Sequence, residues 1–137
     1  MTRHESREQA FILVFEREFS DLSFDEIIEA AQESRDLECS KFCRKLITGL
    51  SNHQEEVDEA IRNNVKGWSF SRLSKVALAV LRIAVYELLF EDDIPDGVSA
   101  NEAVELAKYY GGKEDSSYVN GVISGVIRSK KNEGEKE

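Results

Sequence analysis

The chain has 137 residues, 41% of them hydrophobic, and a formal net charge of −9 at pH 7. That length suits one domain, and the apolar share suffices for an ordinary core without disulfide or metal staples. The excess of acid excludes binding of nucleic acid through a broad basic face, so any such site must be small and local. Residues 1–68 carry 9 basic and 15 acidic side chains and residues 69–137 carry 9 and 12, so neither half offers a basic block. The opening residues, MTRHESRE, are polar and charged, unlike a secretory signal. The longest apolar stretch is interrupted by Arg82 and Glu87 and is too short to span a bilayer. A soluble, cytoplasmic protein with no membrane partner is the expectation.

Only one proline, Pro95, occurs, and apolar residues recur at helical spacing nearly throughout, which predicts an all-α fold. A first helix is expected from about Glu5 to Phe19, with Ala10 to Phe15 as a wide apolar face. Ser23-Phe-Asp-Glu26 has the form of a capping box and opens a second helix, striped by Phe24, Ile27, Ile28 and Ala31. Cys39, Phe42, Cys43, Leu46, Ile47 and Leu50 form an i, i+3, i+4 series, and Val57, Ile61 and Val65 a shorter stripe ending near Gly67-Trp68. From Val76 to Phe90 only Arg82 and Glu87 are charged, the pattern of a helix at the centre of a bundle. Pro95 and Gly97 break the chain, and Ser99-Ala-Asn-Glu102 reads as a second capping box before Ala103, Leu106, Ala107 and Tyr110. Gly111-Gly112 suits a helix stop. Val119, Val122, Ile123, Val126 and Ile127 line the last helix, and SKKNEGEKE is expected to fray. Counting a short turn near Ser69, the prediction is a compact bundle of about seven helices: one domain over 1–129 and a polar tail over 130–137.

No catalytic constellation emerges. Gly111-Gly112-Lys113 lacks the spacing of a phosphate loop. Glu91, Asp92 and Asp93 read as a solvated run rather than a magnesium site. Neither histidine stands beside a serine, cysteine or carboxylate at a spacing that suggests a general base. Cys39 and Cys43 share a helical face with only His4 and His53 as further soft ligands, so they read as small buried hydrophobes rather than zinc ligands. No catalytic residue, metal or cofactor is expected.

The C-terminal half carries five fragments in order. They are Trp68-Ser-Phe-Ser-Arg72-Leu73, Leu81-Arg82-Ile-Ala-Val-Tyr86-Glu87-Leu88, Ile94-Pro95, Asn101-Glu102-Ala-Val-Glu-Leu-Ala107-Lys108 and Tyr118-Val119-Asn120-Gly121-Val122. Each alone is weak, but together, across about 55 residues, they closely resemble the NusB family of bacterial antitermination factors. Arg7-Glu8-x-Ala10 fits that family's opening helix, so the resemblance covers the whole chain. It implies a helical bundle that binds boxA-type RNA of ribosomal RNA transcripts together with a small-subunit ribosomal protein, NusE. The complex lets RNA polymerase pass termination signals.

The resemblance also implies sites. An arginine-rich start of the first helix supplies phosphate contacts in the family; here the matching residues are Arg3, His4 and Arg7, with Glu5 standing among them. Arg3 and Arg7, four apart, face the same way, and guanidinium forks suit phosphate oxygens. An ordinary solvated arm is the alternative. Tyr118 matches a family aromatic beside the RNA, where a ring can stack an unpaired base; it can equally be a core residue with a wet hydroxyl. Asn120 can read base edges or cap the backbone. Lys113, Glu114 and Asp115 precede it in an expected loop, where the carboxylates can orient a base amine or repel phosphate. Arg82, Glu87 and Asn101 are assigned to architecture, because charges on an apolar helix need partners.

The protein partner is expected at Phe15, Phe19 and Leu22, three large apolar residues at one helix end, and at Leu78. Where the family has a partner-binding carboxylate early in the central helix, this chain has Ala77. Two other readings remain open: a protein-interaction or homodimerisation module with little RNA affinity, and a stand-alone relative of the RNA-binding domain that precedes some RNA methyltransferases.

Overall fold

A computed structural model describes residues 1–35, 37–65 and 70–135. Five helices form among them, rather than about seven: α1 (Arg3–Arg17), α2 (Phe24–Arg35), α3 (Lys41–Asn63), α4 (Lys75–Phe90) and α5 (Asp96–Glu135). A 3-10 turn, Phe70–Arg72, precedes α4. Trp68 and the turn expected near Ser69 fall outside the described residues. The lower count has a local cause. The break expected between the Leu50 and Val57 stripes is a kink inside α3 at His53 (φ −126°, ψ 21°), and the Gly111-Gly112 stop is a kink inside α5. Gly112 has φ +87° and ψ −174°, a backbone region almost reserved for glycine.

Helix starts follow the side-chain caps. Thr2 and Glu5 form a capping box that opens α1 two residues earlier than expected, and Ser23 and Glu26 form the expected one at α2. Ser40 and Ser74 cap α3 and α4, accepting from the Cys43 and Ala77 amides. Ser99-Ala-Asn-Glu102 is not a cap. Pro95 supplies the carbonyl that receives the Val98 amide, so α5 already begins at Asp96 and Ser99 lies within it. The polar tail does not fray at 130 either: α5 continues through Glu135, tied back by Lys130 to Asp96 at 2.8 Å.

α4 is the axis of the bundle. Every residue from Ala77 to Leu88 is buried, and α1, α3 and α5 all pack against it. Two charges inside this helix are paired in turn. Arg82 donates to both Asp58 oxygens at 2.9 and 3.1 Å and also binds Glu18, joining α4 to α3 and to the end of α1. Glu87 joins α4 to α1 and α5 through Arg7 and Ser99. Glu91 corrects the solvated-run expectation: it is buried, accepts from the Tyr86 hydroxyl at 2.8 Å and pairs with Lys45 at 3.0 Å, while Asp92 and Asp93 are exposed. Tyr86 itself lies flat against α3 because Gly49 has no side chain; a Cβ there would enter the ring. Asn101, assigned to architecture from sequence, is exposed on α5.

Candidate nucleic-acid and partner interface

The basic start of α1 splits into an outer and an inner part. Arg3 is exposed, with its guanidinium 4.7 Å from the centroid of the Phe42 ring on α3. His4 is half-exposed, and its Nδ1 lies 2.6 Å from Glu102 on α5. The hydrogen bond and charge of Glu102 raise the His4 pKa above its ordinary 6.5 and favour the cationic ring.

Arg7 does not reach the surface. It is 3% exposed, and its Nε and Nη2 donate to the two Glu87 oxygens at 2.9 Å each. Ser99 donates a third hydrogen bond to Glu87 at 2.9 Å. The i, i+4 spacing does place Arg3 and Arg7 on one face, and both approach Phe42, but one turn deeper that face is enclosed by α4. The expected phosphate contact is therefore corrected to a buried architectural pair.

The second cluster stands just beyond the Gly112 kink. Lys113 and Glu114 are exposed, yet they belong to α5 and not to a loop. Asn120 is exposed two residues beyond Tyr118. Tyr118 is intermediate between its two expectations: half-buried, packed against the core, and lining an open cleft of about 510 Å³. Burial raises its phenol pKa. Arg72, Leu73, Ser74, Glu114 and Asp115 share that cleft. The Ser74 hydroxyl that caps α4 also donates to Asp115 at 2.9 Å, so the cap of one helix sets the position of the next. A cationic side chain, an aromatic edge and carboxylate acceptors thus meet at one opening, a set able to hold a planar, hydrogen-bonding ligand.

The apolar candidates divide the same way. Phe19 is 65% and Leu22 40% exposed, and Phe15 is half-buried with its ring 5.1 Å from that of Phe19. Leu78 is buried in the core and is corrected from partner contact to packing, because α4 is enclosed from Ala77 onward. Sequence reasoning also missed an aromatic row. Phe11 and Phe15 of α1 meet Phe19 just beyond its end, and Phe11 touches Tyr110 of α5 at 4.7 Å, with Tyr109 4.9 Å further on. Tyr109 was unassigned because it is out of phase with the Ala103–Tyr110 stripe, and that displacement is the signal for its exposure.

Among the described residues no cluster of histidine, cysteine and carboxylate could hold a metal, and no helix is long and apolar enough to cross a membrane. The fold and its surfaces define a small all-helical module, with exposed polar and aromatic groups on α1 and α5 around a closed core. The chain belongs to the NusB family, whose model matches residues 4–128. It is 42% identical over 128 residues to the transcription antitermination protein NusB of Exiguobacterium sp. (strain ATCC BAA-1283 / AT1b), covering 93% of this chain and 98% of that one. It is 38% identical over 143 residues to the same protein of Clostridium botulinum (strain Hall / ATCC 3502 / NCTC 13319 / Type A), covering 93% and 100%. T. maritima NusB superimposes with a TM-score of 0.83 at 35% identity, over 93% of this chain and 92% of that one. A NusB crystallised with NusE and dsRNA superimposes with a TM-score of 0.82 at 25% identity, over 94% and 99%. Members of this family are antitermination factors, RNA-binding regulatory proteins rather than enzymes.

Proposed function

We propose that this chain binds boxA-type RNA of ribosomal RNA transcripts together with NusE, in the cytoplasm, as part of an antitermination complex with RNA polymerase. The observation that carries the reading is the cleft that Tyr118 shares with Arg72, Glu114 and Asp115, together with exposed Arg3 and His4 at the start of α1; Lys113 and Asn120 are exposed on the same stretch of α5. In this reading Arg3, Lys113 and protonated His4 hold phosphates. Tyr118 stacks a base, while Asn120 and Glu114 meet base edges. Three cationic contacts give a salt slope of only about −2 for single-stranded RNA, so stacking and the partner must supply much of the affinity.

Exposed Phe19 and Leu22, with the Phe15 ring behind them, form the NusE-docking patch. Asp21 and Asp25 are exposed close by in the chain, which suits a basic ribosomal protein, whereas Glu16 is paired with Arg35 and Glu18 with Arg82. The same patch could instead join two copies of the chain. Fluorescence anisotropy of labelled single-stranded boxA-type RNA, with and without NusE and at two salt concentrations, tests the reading. Tighter binding with NusE, weakened in Arg3→Ala/Tyr118→Ala, is expected. A folded chain that binds no RNA under either condition would overturn the RNA role; concentration-dependent dimerisation abolished by Phe19→Ala would assign the patch to self-association.

A further inference from the structure

Tyr109 carries an 80% exposed ring on α5, three residues before the Gly112 kink. Glu102, seven residues earlier, shares its helical face two turns away, about 10.5 Å along the axis. Glu102 is the residue that draws His4, and with it the basic start of α1, against α5. Lys113 follows four residues after Tyr109, and Tyr118 five after that. Along α5, Tyr109 thus stands between the two clusters assigned to RNA.

Its ring has a packed neighbour. The Tyr109 ring packs edge-on against Tyr110 at 4.9 Å and 72°. Tyr110 in turn sits 4.7 Å from Phe11 of α1. The exposed ring thus leans on a neighbour packed against α1, with most of its surface left open to a ligand. The local charge selects the kind of contact. Glu105 and Lys108 are both exposed on the same stretch of α5 and offset one another, so the contact left to the ring is the uncharged face of a base.

We infer that Tyr109 is a further base-stacking residue, over which a single RNA strand passes between Arg3–His4 and Lys113–Tyr118. The inference rests on the RNA-binding reading above. It is tested by anisotropy of single-stranded boxA-type RNA with Tyr109→Ala and Tyr109→Phe, alongside Arg3→Ala/Tyr118→Ala, together with mapping of ultraviolet crosslinks on the wild-type complex. Tyr109→Ala should weaken binding at least about fivefold, while Tyr109→Phe keeps wild-type affinity. The melting temperature and salt slope of both variants should be unchanged, and Tyr109 should carry a crosslinked nucleotide.

Wild-type affinity in Tyr109→Ala, with Arg3→Ala/Tyr118→Ala still weakened, would overturn this inference and leave the RNA reading standing. Loss of NusE binding alone would make Tyr109 a protein contact, which also overturns it. A wild-type chain that binds no RNA would overturn both.

Discussion

Replacing Arg7 by alanine separates architecture from recognition at the start of α1. Arg7 and Glu87 are 3% and 1% exposed and share two hydrogen bonds of 2.9 Å, so truncation leaves a buried carboxylate with Ser99 as its one remaining side-chain donor among the described residues. Removing one partner of a buried pair costs about 3–5 kcal/mol, because the remaining charge stays desolvated. For a domain of this size that corresponds to a fall in Tm of about 10–20 °C. Urea and thermal denaturation followed by circular dichroism read the loss directly. The double variant Arg7→Met/Glu87→Met should recover more than half of it, since a shape-filling apolar pair carries no unpaired charge. Measured well below its Tm, Arg7→Met should keep RNA affinity within about twofold, because a buried guanidinium meets no phosphate. An Arg7→Ala variant within about 1 kcal/mol of wild type that loses RNA affinity more than tenfold would refute the reasoning.

Other outcomes follow from single features. Gly112→Ala should destabilise by about 1–3 kcal/mol in urea melts through backbone strain alone, since nothing lies within 4 Å of the added Cβ; Gly97→Ala, also in open space but without positive φ, should not destabilise. The His4 pKa is raised by Glu102, so the stabilising pair is fully formed below pH 6.5 and is lost as pH rises through the raised value. Titration of the His4 ring by NMR should give a midpoint above 6.5 that falls back in Glu102→Gln. Burial pushes the Cys43 thiol up to about 12, whereas Cys39 is half-buried, so thiol reagents at pH 8 should modify Cys39 first and Cys43 only on unfolding.

The helical bundle was legible because burial imposes a 3.6-residue period, and α4 was legible as its axis because it is apolar all round. Stripes and caps locate helices but do not tell a kink from an end. At His53 and Gly112 packing on α4 carries the helix through a local break. The two capping-box sequences show the same limit. Ser23 caps α2, but Ser99, in an equivalent pattern, is recruited by Glu87 once Pro95 has already opened α5.

The candidate site was legible where exposure follows from local pattern, as at Arg3, Lys113, Asn120 and Phe19. It was not legible where a partner lies far along the chain. Arg7 is 80 residues from Glu87, and nothing near either residue announces the pair. Leu78 failed for the converse reason: on a helix enclosed on every side, no face remains for a partner.

The central claim, that RNA lies across the α1 start and the kinked part of α5, is tested most directly by amide NMR shifts on titrating single-stranded boxA-type RNA into the labelled chain. Shifts should concentrate at Arg3, His4, Lys113, Glu114, Tyr118 and Asn120, leave Phe19 and Leu22 unmoved, and spread to those two only when NusE is added. Shifts confined to Phe19 and Leu22, or no shifts with RNA at any salt concentration, would contradict the account.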